Sequence, residues 1–261
     1  EEYENIDYTL RFAPPLGTLD LSEERTIAPL HPDTPESVRK LLAAYPLSLK
    51  GYDGKNILLY NGLTVEYKKA GISNGMGDPD LDALFQDRFP KGEPVDAPAK
   101  NDAGRVRHEE LMKKMYGRTP EEVRRNLVPI RWCPKLANQT LWCTRINQVH
   151  IRLSRISAEL DGYPELAGYL DSGGIFNWRV IAGSDRLSAH SFGAAIDIAI
   201  EHAHYWKRNV SQENGGIPDR PENKFPQIIV DVFEKHGFIW GGRWRHYDTM
   251  HFEYRPELLL D

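Results

Sequence analysis

Cysteine is scarce in this chain. Only Cys133 and Cys143 occur among the 261 residues, and each follows a tryptophan. Two cysteines argue against a closed metal site built from thiolates, since the common structural zinc sites use up to four of them. An even count is compatible with one disulfide, and two buried thiols are the alternative.

Long apolar runs and an excess of positive charge are also missing. No run approaches the ~18 consecutive apolar residues that a membrane-spanning helix needs. The formal net charge of −5 provides no basic field, which argues against nucleic acid as the main partner. Hydrophobic residues make up 40% of the chain, enough for a core, and the length suits one large domain or a catalytic domain with an extension.

Two short runs contain the side chains that could bind a metal ion or take part in catalysis. Residues 188–197 read Ser-Ala-His-Ser-Phe-Gly-Ala-Ala-Ile-Asp, and residues 247–254 read Tyr-Asp-Thr-Met-His-Phe-Glu-Tyr. From Ala195 to Ile200 the three isoleucines alternate with small residues and Asp197, which predicts a half-buried strand. The second run alternates in the same way, with His251 and Glu253 on one face.

Two imidazoles and a carboxylate, from His190, Asp197 and His251, suit a zinc site with three protein ligands. A catalytic zinc site keeps its fourth position for water, whereas a structural site closes it with a fourth side chain. Asp248 lies three residues before His251 and is a candidate base for that water, because zinc brings the pKa of bound water towards neutrality.

The pattern Ser-x-His-x-x-Gly-x-Ala-x-Asp, followed by Asp-x-x-His-x-Glu, resembles the zinc D,D-peptidase family over the last third to half of the chain. That family contains D-alanyl-D-alanine carboxypeptidases and dipeptidases and the phage L-alanyl-D-glutamate endopeptidases. The resemblance implies Zn²⁺ as cofactor and peptidoglycan stem peptides as substrate. It implies these roles: zinc ligands at His190, Asp197 and His251, a general base at Asp248, a substrate or metal-shell role for Ser188, and an oxyanion-stabilising arginine best matched by Arg179.

Several assignments around this set stay open. Ser188 either bonds substrate or is a turn residue that fixes His190. Glu253 is expected to orient a metal-bound histidine, and Gly193 to let the backbone pass close to the ligands. Many family members have glutamate as the base, and Asp248 matches the endopeptidase-like branch better.

The favoured function is a D-alanyl-D-alanine carboxypeptidase. The alternatives are an L-alanyl-D-glutamate endopeptidase, a non-catalytic wall-binding module on the same fold, and a structural zinc domain. The wall substrate implies a periplasmic or secreted protein. The start at Glu1 without methionine would follow from a removed signal peptide, and also from a start chosen for expression. In an exported protein the two cysteines favour a disulfide.

The expected fold class is α+β. Helices would pack on a small, mainly antiparallel sheet with zinc between strands at one end. Residues 121–261 would form the catalytic domain, and residues 1–120 a mixed α/β extension of unknown role. Its first 33 residues would wrap the surface or pair as short strands.

Local signals predict particular elements. Thr34-Pro35 and Thr119-Pro120 start helices, the latter carrying Leu127, and Asn61-Gly62 joins a hairpin. Further helices are expected at 109–116, 144–160 and 226–236, and strands at 175–181, carrying Arg179, and from Phe238.

Two further clusters of possible ligands are read as non-metal sites. Asp78, Asp80 and Asp82 lack the spacing of a calcium loop, so a capped turn opening a short helix is favoured. His202 and His204 are too few for a site and are assigned to the substrate rim or the surface. Residues 207–222 are a candidate mobile loop.

Overall fold

A computed structural model describes residues 30–68, 79–181, 183–208 and 224–260. Nearly all of the first 33 residues, Asp78 and most of the 207–222 loop lie outside these ranges. The predicted class is correct, because the described part is α+β with small antiparallel sheets. No helix within it is long and apolar enough to cross a membrane.

A four-stranded antiparallel sheet positions the motif residues. Its strands are β6 (Ser172–Gly174), β7 (Ala195–Ile198), β8 (Phe238–Trp240) and β9 (His251–Tyr254), in the order β6-β7-β9-β8. In the β7–β9 ladder Ile196 lies opposite Phe252, and Asp197 lies opposite His251. The strand pairing therefore brings the two halves of the sequence motif face to face.

The apolar face of this sheet packs on α5 (Gln227–Lys235), which in turn packs on α4 (Val149–Leu160). Phe233 of α5 stacks on Phe252 with ring centroids 4.0 Å apart. Leu153 and Ile156 of α4 are fully buried. Full burial of such a side chain contributes about 1.5–3 kcal/mol, so the helices hold the sheet while its other face stays available for polar groups.

The predicted strand from Ala195 to Ile200 is correct in place but too long. It ends at Ile198, because Ala199 adopts a left-handed conformation with φ of 55°. Ile200 consequently leaves the buried face and is 46% exposed. The strand predicted over residues 175–181 is wrong: only an isolated bridge between Val180 and Leu187 forms there.

A hairpin that the sequence did not reveal precedes α4. It pairs β4 (Leu127–Trp132) with β5 (Gln139–Thr144). Leu127 therefore belongs to a strand rather than to a helix, and Thr144 ends a strand rather than starting the predicted helix. Asn147 delays the helix because its φ is 52°. Its buried amide accepts a hydrogen bond from Ser48 and donates one to Tyr116, which holds that left-handed turn.

The expected disulfide is wrong, and both cysteines are buried free thiols. Cys143 lies opposite Val128 in the hairpin. Cys133 directly follows Trp132, the last paired residue of β4, and is five positions beyond Val128 (133 − 128 = 5). At about 3.4 Å per residue the two are roughly 17 Å apart. A disulfide needs Cα atoms closer than about 7 Å, so the register of the hairpin excludes the bridge.

The N-terminal elements agree with most local signals. The Asn61-Gly62 turn joins two strands, with Gly62 at φ 83°, and Thr119 caps its helix by accepting from Glu122 N–H. Thr34 instead donates to the His31 carbonyl, so the first helix has no side-chain cap. These elements are α1 (Glu36–Ala44), β1 (Leu49–Tyr52), β2 (Asn56–Leu59), β3 (Thr64–Glu66), α2 (Glu109–Tyr116) and α3 (Pro120–Arg124).

Contacts cross the predicted boundary at residue 120. The Tyr45 hydroxyl donates to Glu257, and the Trp244 indole donates to the Ala103 carbonyl at 2.9 Å. Val38 of α1 and Phe252 of β9 belong to one hydrophobic cluster. The N-terminal part therefore packs directly against the strands that carry the motif, and the division into two domains stays a prediction.

Candidate metal centre and its cavity

Three side chains from three separate segments converge at one end of the four-stranded sheet. His190 lies in a 3₁₀ turn (Ala189–Phe192), Asp197 in β7 and His251 at the start of β9. His190 Nε2 and His251 Nδ1 each lie 3.1 Å from Asp197 Oδ1 and 3.2 Å from one another. They form the one group of three potential metal ligands found among the described residues.

The spacing of these atoms fits a small tetrahedral ion. Zinc–ligand bonds of about 2.0–2.1 Å give a tetrahedron whose edges are roughly 3.3–3.4 Å. The three observed separations of 3.1–3.2 Å match three corners of such a tetrahedron. The fourth corner has no protein ligand within this group, as in sites that keep a position for water.

Hydrogen bonds select, for each of the two histidines, the tautomer whose unprotonated nitrogen faces the other ligands. His190 Nδ1 lies 2.7 Å from the Ile175 carbonyl, and His251 Nε2 lies 2.8 Å from a Glu253 carboxylate oxygen. Both partners are acceptors, so each ring nitrogen donates its proton to them. The lone pairs of His190 Nε2 and His251 Nδ1 therefore face the same point, and the expected orienting role of Glu253 has a geometric basis.

The charges of the metal-free centre are strongly coupled. Burial by itself would raise the pKa of Asp197, but hydrogen bonds from His190 and His251 outweigh it and hold this pKa well below its usual range. Burial would lower the pKa of His251, whereas hydrogen bonds to Asp197 and Glu253 raise it to about 9. When no metal is bound, this raised pKa keeps a second ring proton on His251 at neutral pH, on the Nδ1 that faces Asp197, and a metal ion must displace that proton.

Asp248 lies beside this centre, in the turn that precedes β9. Its backbone N–H donates to Gly241, and its carbonyl accepts from His251. Its Oδ1 is buried and has no hydrogen-bond partner among the described residues. Burial raises the pKa of Asp248 above its ordinary value, an effect that the charge of His251 partly offsets. A carboxylate with an unmatched oxygen and a raised pKa is a suitable proton acceptor.

A cavity of about 700 Å³ includes Asp248 and His251 in its lining. One wall comes from residues 102–112, which no local feature of the sequence connects with the motif. Arg105 of that wall lies over the Trp206 ring at 5.7 Å, and its charge lowers the pKa of Asp248 slightly against the effect of burial. The sequence predicted only a turn at Arg105 and Arg107. Their partners, Trp206 and Glu253, are more than 100 positions away in the chain, so no local pattern indicates these contacts.

Other expected site residues occupy definite places. Arg179 is exposed and lines the cavity, and its carbonyl accepts from Ser188 N–H and Ser191 Oγ. Ser188 Oγ accepts from His190 N–H at 3.4 Å, which corresponds to the turn-residue alternative. Gly193, with φ of 65°, approaches the hairpin rather than the ligands, since a Cβ there would lie 2.7 Å from Leu127.

Described residues of the two minor clusters make contacts of other kinds. His202 stacks on Tyr169 with centroids 4.3 Å apart, and His204 bonds through its backbone to Thr249. Asp82 accepts hydrogen bonds from Ser37 and Tyr67 in a short 3₁₀ helix (Leu81–Phe85). The expected short helix is thus confirmed, but the side-chain cap expected at its start is wrong.

Comparison with known proteins agrees with this geometry. Residues 182–254 match the family described as D-alanyl-D-alanine carboxypeptidase. The match covers His190, Asp197, Asp248 and His251, and it confirms the resemblance predicted from the motifs. This segment is therefore similar to a peptidase family, and the likeness supports a metallopeptidase. Comparisons with curated proteins and with solved structures found no match.

Proposed function

We propose that the chain is a zinc-dependent peptidase that hydrolyses peptidoglycan stem peptides as a D-alanyl-D-alanine carboxypeptidase. The observation that carries this proposal is the convergence of His190, Asp197 and His251 beside the unmatched carboxylate of Asp248. The family description of residues 182–254 supports the same reaction. Because this substrate lies outside the cytoplasm, we place the protein in the periplasm or outside the cell.

The donor set favours zinc. Two imidazole nitrogens and one carboxylate oxygen form a common ligand set of catalytic zinc, whereas magnesium and calcium prefer oxygen ligands. When bound, zinc polarises the scissile carbonyl and lowers the pKa of water. The chain would hold the ion with His190, Asp197 and His251, and Glu253 would keep the second histidine in its ligating tautomer.

The remaining roles belong to charged groups of the cavity. Asp248 accepts the proton of the attacking water and passes it to the leaving amine, a role that its raised pKa supports. Arg179 lines the same cavity and supplies positive charge for the developing oxyanion or a substrate carboxylate. Arg105, from the N-terminal part of the chain, also lines the cavity and provides a second guanidinium group there. In this proposal residues 102–112 of the N-terminal part form one wall of the cavity, and residues 121–261 supply the metal ligands.

A second candidate is an L-alanyl-D-glutamate endopeptidase. It is favoured by the aspartate at the position of the base, where many carboxypeptidase-like members carry glutamate. A non-catalytic wall-binding module has less support, because binding alone does not require a buried carboxylate beside the metal ligands. A structural zinc domain would need a fourth protein ligand, and the described residues supply three.

The test is digestion of purified peptidoglycan fragments by the zinc-loaded protein, with products identified by mass spectrometry with and without a chelator. Chelator-sensitive loss of a terminal D-alanine establishes the carboxypeptidase. Cleavage between L-alanine and D-glutamate establishes the endopeptidase. Absence of any product from a protein that holds zinc overturns both peptidase proposals in favour of the binding module.

A further inference from the structure

Arg107 connects the N-terminal part to the metal centre through a buried ion pair with Glu253. Its Nε lies 2.9 Å from each carboxylate oxygen of Glu253, and its Nη2 contacts Oε2. The side chains are 10% and 1% exposed, so the pair is shielded from solvent. A planar guanidinium that engages both oxygens fixes the orientation of the carboxylate as well as its charge.

The oxygen held by Arg107 Nη2 is the one that orients a metal ligand. Glu253 Oε2 accepts from His251 Nε2 at 2.8 Å, and Arg255 reaches the other oxygen, Oε1, at 3.1 Å. Arg255 is shared with the Gly104 carbonyl and Glu257. Loss of Arg107 would therefore free Oε2 in particular, while Arg255 continued to hold Oε1.

The backbone of this segment is itself anchored near the site. Asp102 accepts from His246 N–H at 2.9 Å and lies 2.7 Å from its ring Nδ1. The carbonyls of Ala103 and Gly104 accept from Trp244 and Arg255, each at 2.9 Å. Arg107 thus approaches Glu253 from a fixed position, as a supporting residue of a preorganised site must.

We propose that Arg107 is a positioning residue that sets the affinity of the centre for its metal ion through Glu253 and His251. The inference rests on the proposed metal site. It makes the segment 102–107, which lies outside the stretch that matches the peptidase family, a working part of that site. Loss of a direct hydrogen-bond partner of a metal ligand, as Glu253 is of His251, typically weakens metal binding 10–100-fold, and loss of Arg107 acts through that partner.

The test measures zinc affinity of the full chain by competition with a chromophoric chelator. Arg107→Met is compared with Arg243→Met, because Arg243 forms an equally buried pair with Glu234 on α5. Each change removes a guanidinium partner from a buried glutamate and should lower the melting temperature. We expect only Arg107→Met to weaken zinc binding, by about 10–100-fold, and to alter the visible spectrum of the Co²⁺-substituted protein.

Arg107→Lys keeps the charge but removes the planar fork, so we expect weakening of several-fold, between wild type and Arg107→Met. If Arg107→Met does not fold, this variant decides the matter. Wild-type affinity in a folded Arg107→Met or in Arg107→Lys would overturn the inference, and so would equal weakening in Arg243→Met. Failure of the unaltered protein to bind zinc would instead refute the proposed metal centre, and this inference with it.

Discussion

Replacement of Asp248 by asparagine is the sharpest test of the proposed reaction. The amide has nearly the same shape as the carboxylate, so the change removes the base and leaves the packing of the turn. Asp248 is not one of the three convergent ligands, and its backbone bonds to Gly241 and His251 do not depend on its side chain. The structure therefore predicts a folded, zinc-containing variant that lacks the proton acceptor.

The expected loss of turnover follows from the role assigned to the carboxylate. General-base catalysis by a positioned side chain contributes about 10²–10⁴-fold, so kcat/KM should fall by that factor. At 1.36 kcal/mol for each factor of ten, this loss corresponds to about 3–5 kcal/mol of transition-state stabilisation. Zinc affinity should stay within a few-fold of the wild-type value.

Although Asp248→Asn should lower activity, it should preserve or raise the thermal stability of the chelator-treated protein. Burial raises the pKa of Asp248, so its ionised form is less favourable in the folded than in the unfolded protein. That cost acts at every pH above the ordinary pKa of aspartate. The neutral amide does not carry it, and the metal-free variant should melt at a temperature at or above that of the metal-free wild type at pH 7.

The assay combines kcat/KM on a stem peptide, bound zinc and the melting temperature of the chelated protein. Asp231→Asn, on the solvent side of α5, is the matched control and should change none of the three. Turnover of the Asp248 variant within tenfold of wild type, with zinc retained, would refute the assignment of Asp248 as the base.

Three further predictions concern the centre and the thiols. His190→Ala should lose both zinc and activity, and a variant that keeps a full equivalent of zinc by elemental analysis would show that the ligand set is misassigned. The pKa of His251 in the metal-free centre is about 9, so its proton competes with zinc below that pH. The apparent zinc affinity, measured in competition titrations, should rise about tenfold per pH unit towards pH 9 and then level. A zinc affinity that stays constant from pH 6 to 9 would contradict the proposed coupling. Burial raises the pKa of Cys133 and of Cys143 to about 12. A thiol reagent should therefore detect no reactive thiol in the folded protein and two reactive thiols after denaturation. Detection of no thiol after denaturation without reductant would indicate a disulfide.

The parts of the fold that were predicted correctly depend on short-range signals. The cap of Thr119, the Asn61-Gly62 turn and the helix over residues 109–116 each involve contacts within a few residues. The alternation on both sides of the motif also predicted which side chains share a face. Once the two strands pair, Asp197 and His251 must meet, because they are opposite in the ladder.

Long-range contacts decided the remainder. The register of an unpredicted hairpin separates Cys133 from Cys143, and a buried amide network holds Asn147 in a left-handed turn where periodicity indicated a helix. Neither effect is visible within a window of local sequence.

The sequence by itself therefore determined the candidate ligands and the candidate base, because the chemistry of these side chains follows from their residue types and spacing. Only the tertiary structure decided what surrounds them. Arg107 reaches Glu253 across 146 positions of the chain, and no local pattern encodes such a pair. It forms because packing of the N-terminal segment against β9 buries Glu253, and a buried carboxylate requires a partner of opposite charge.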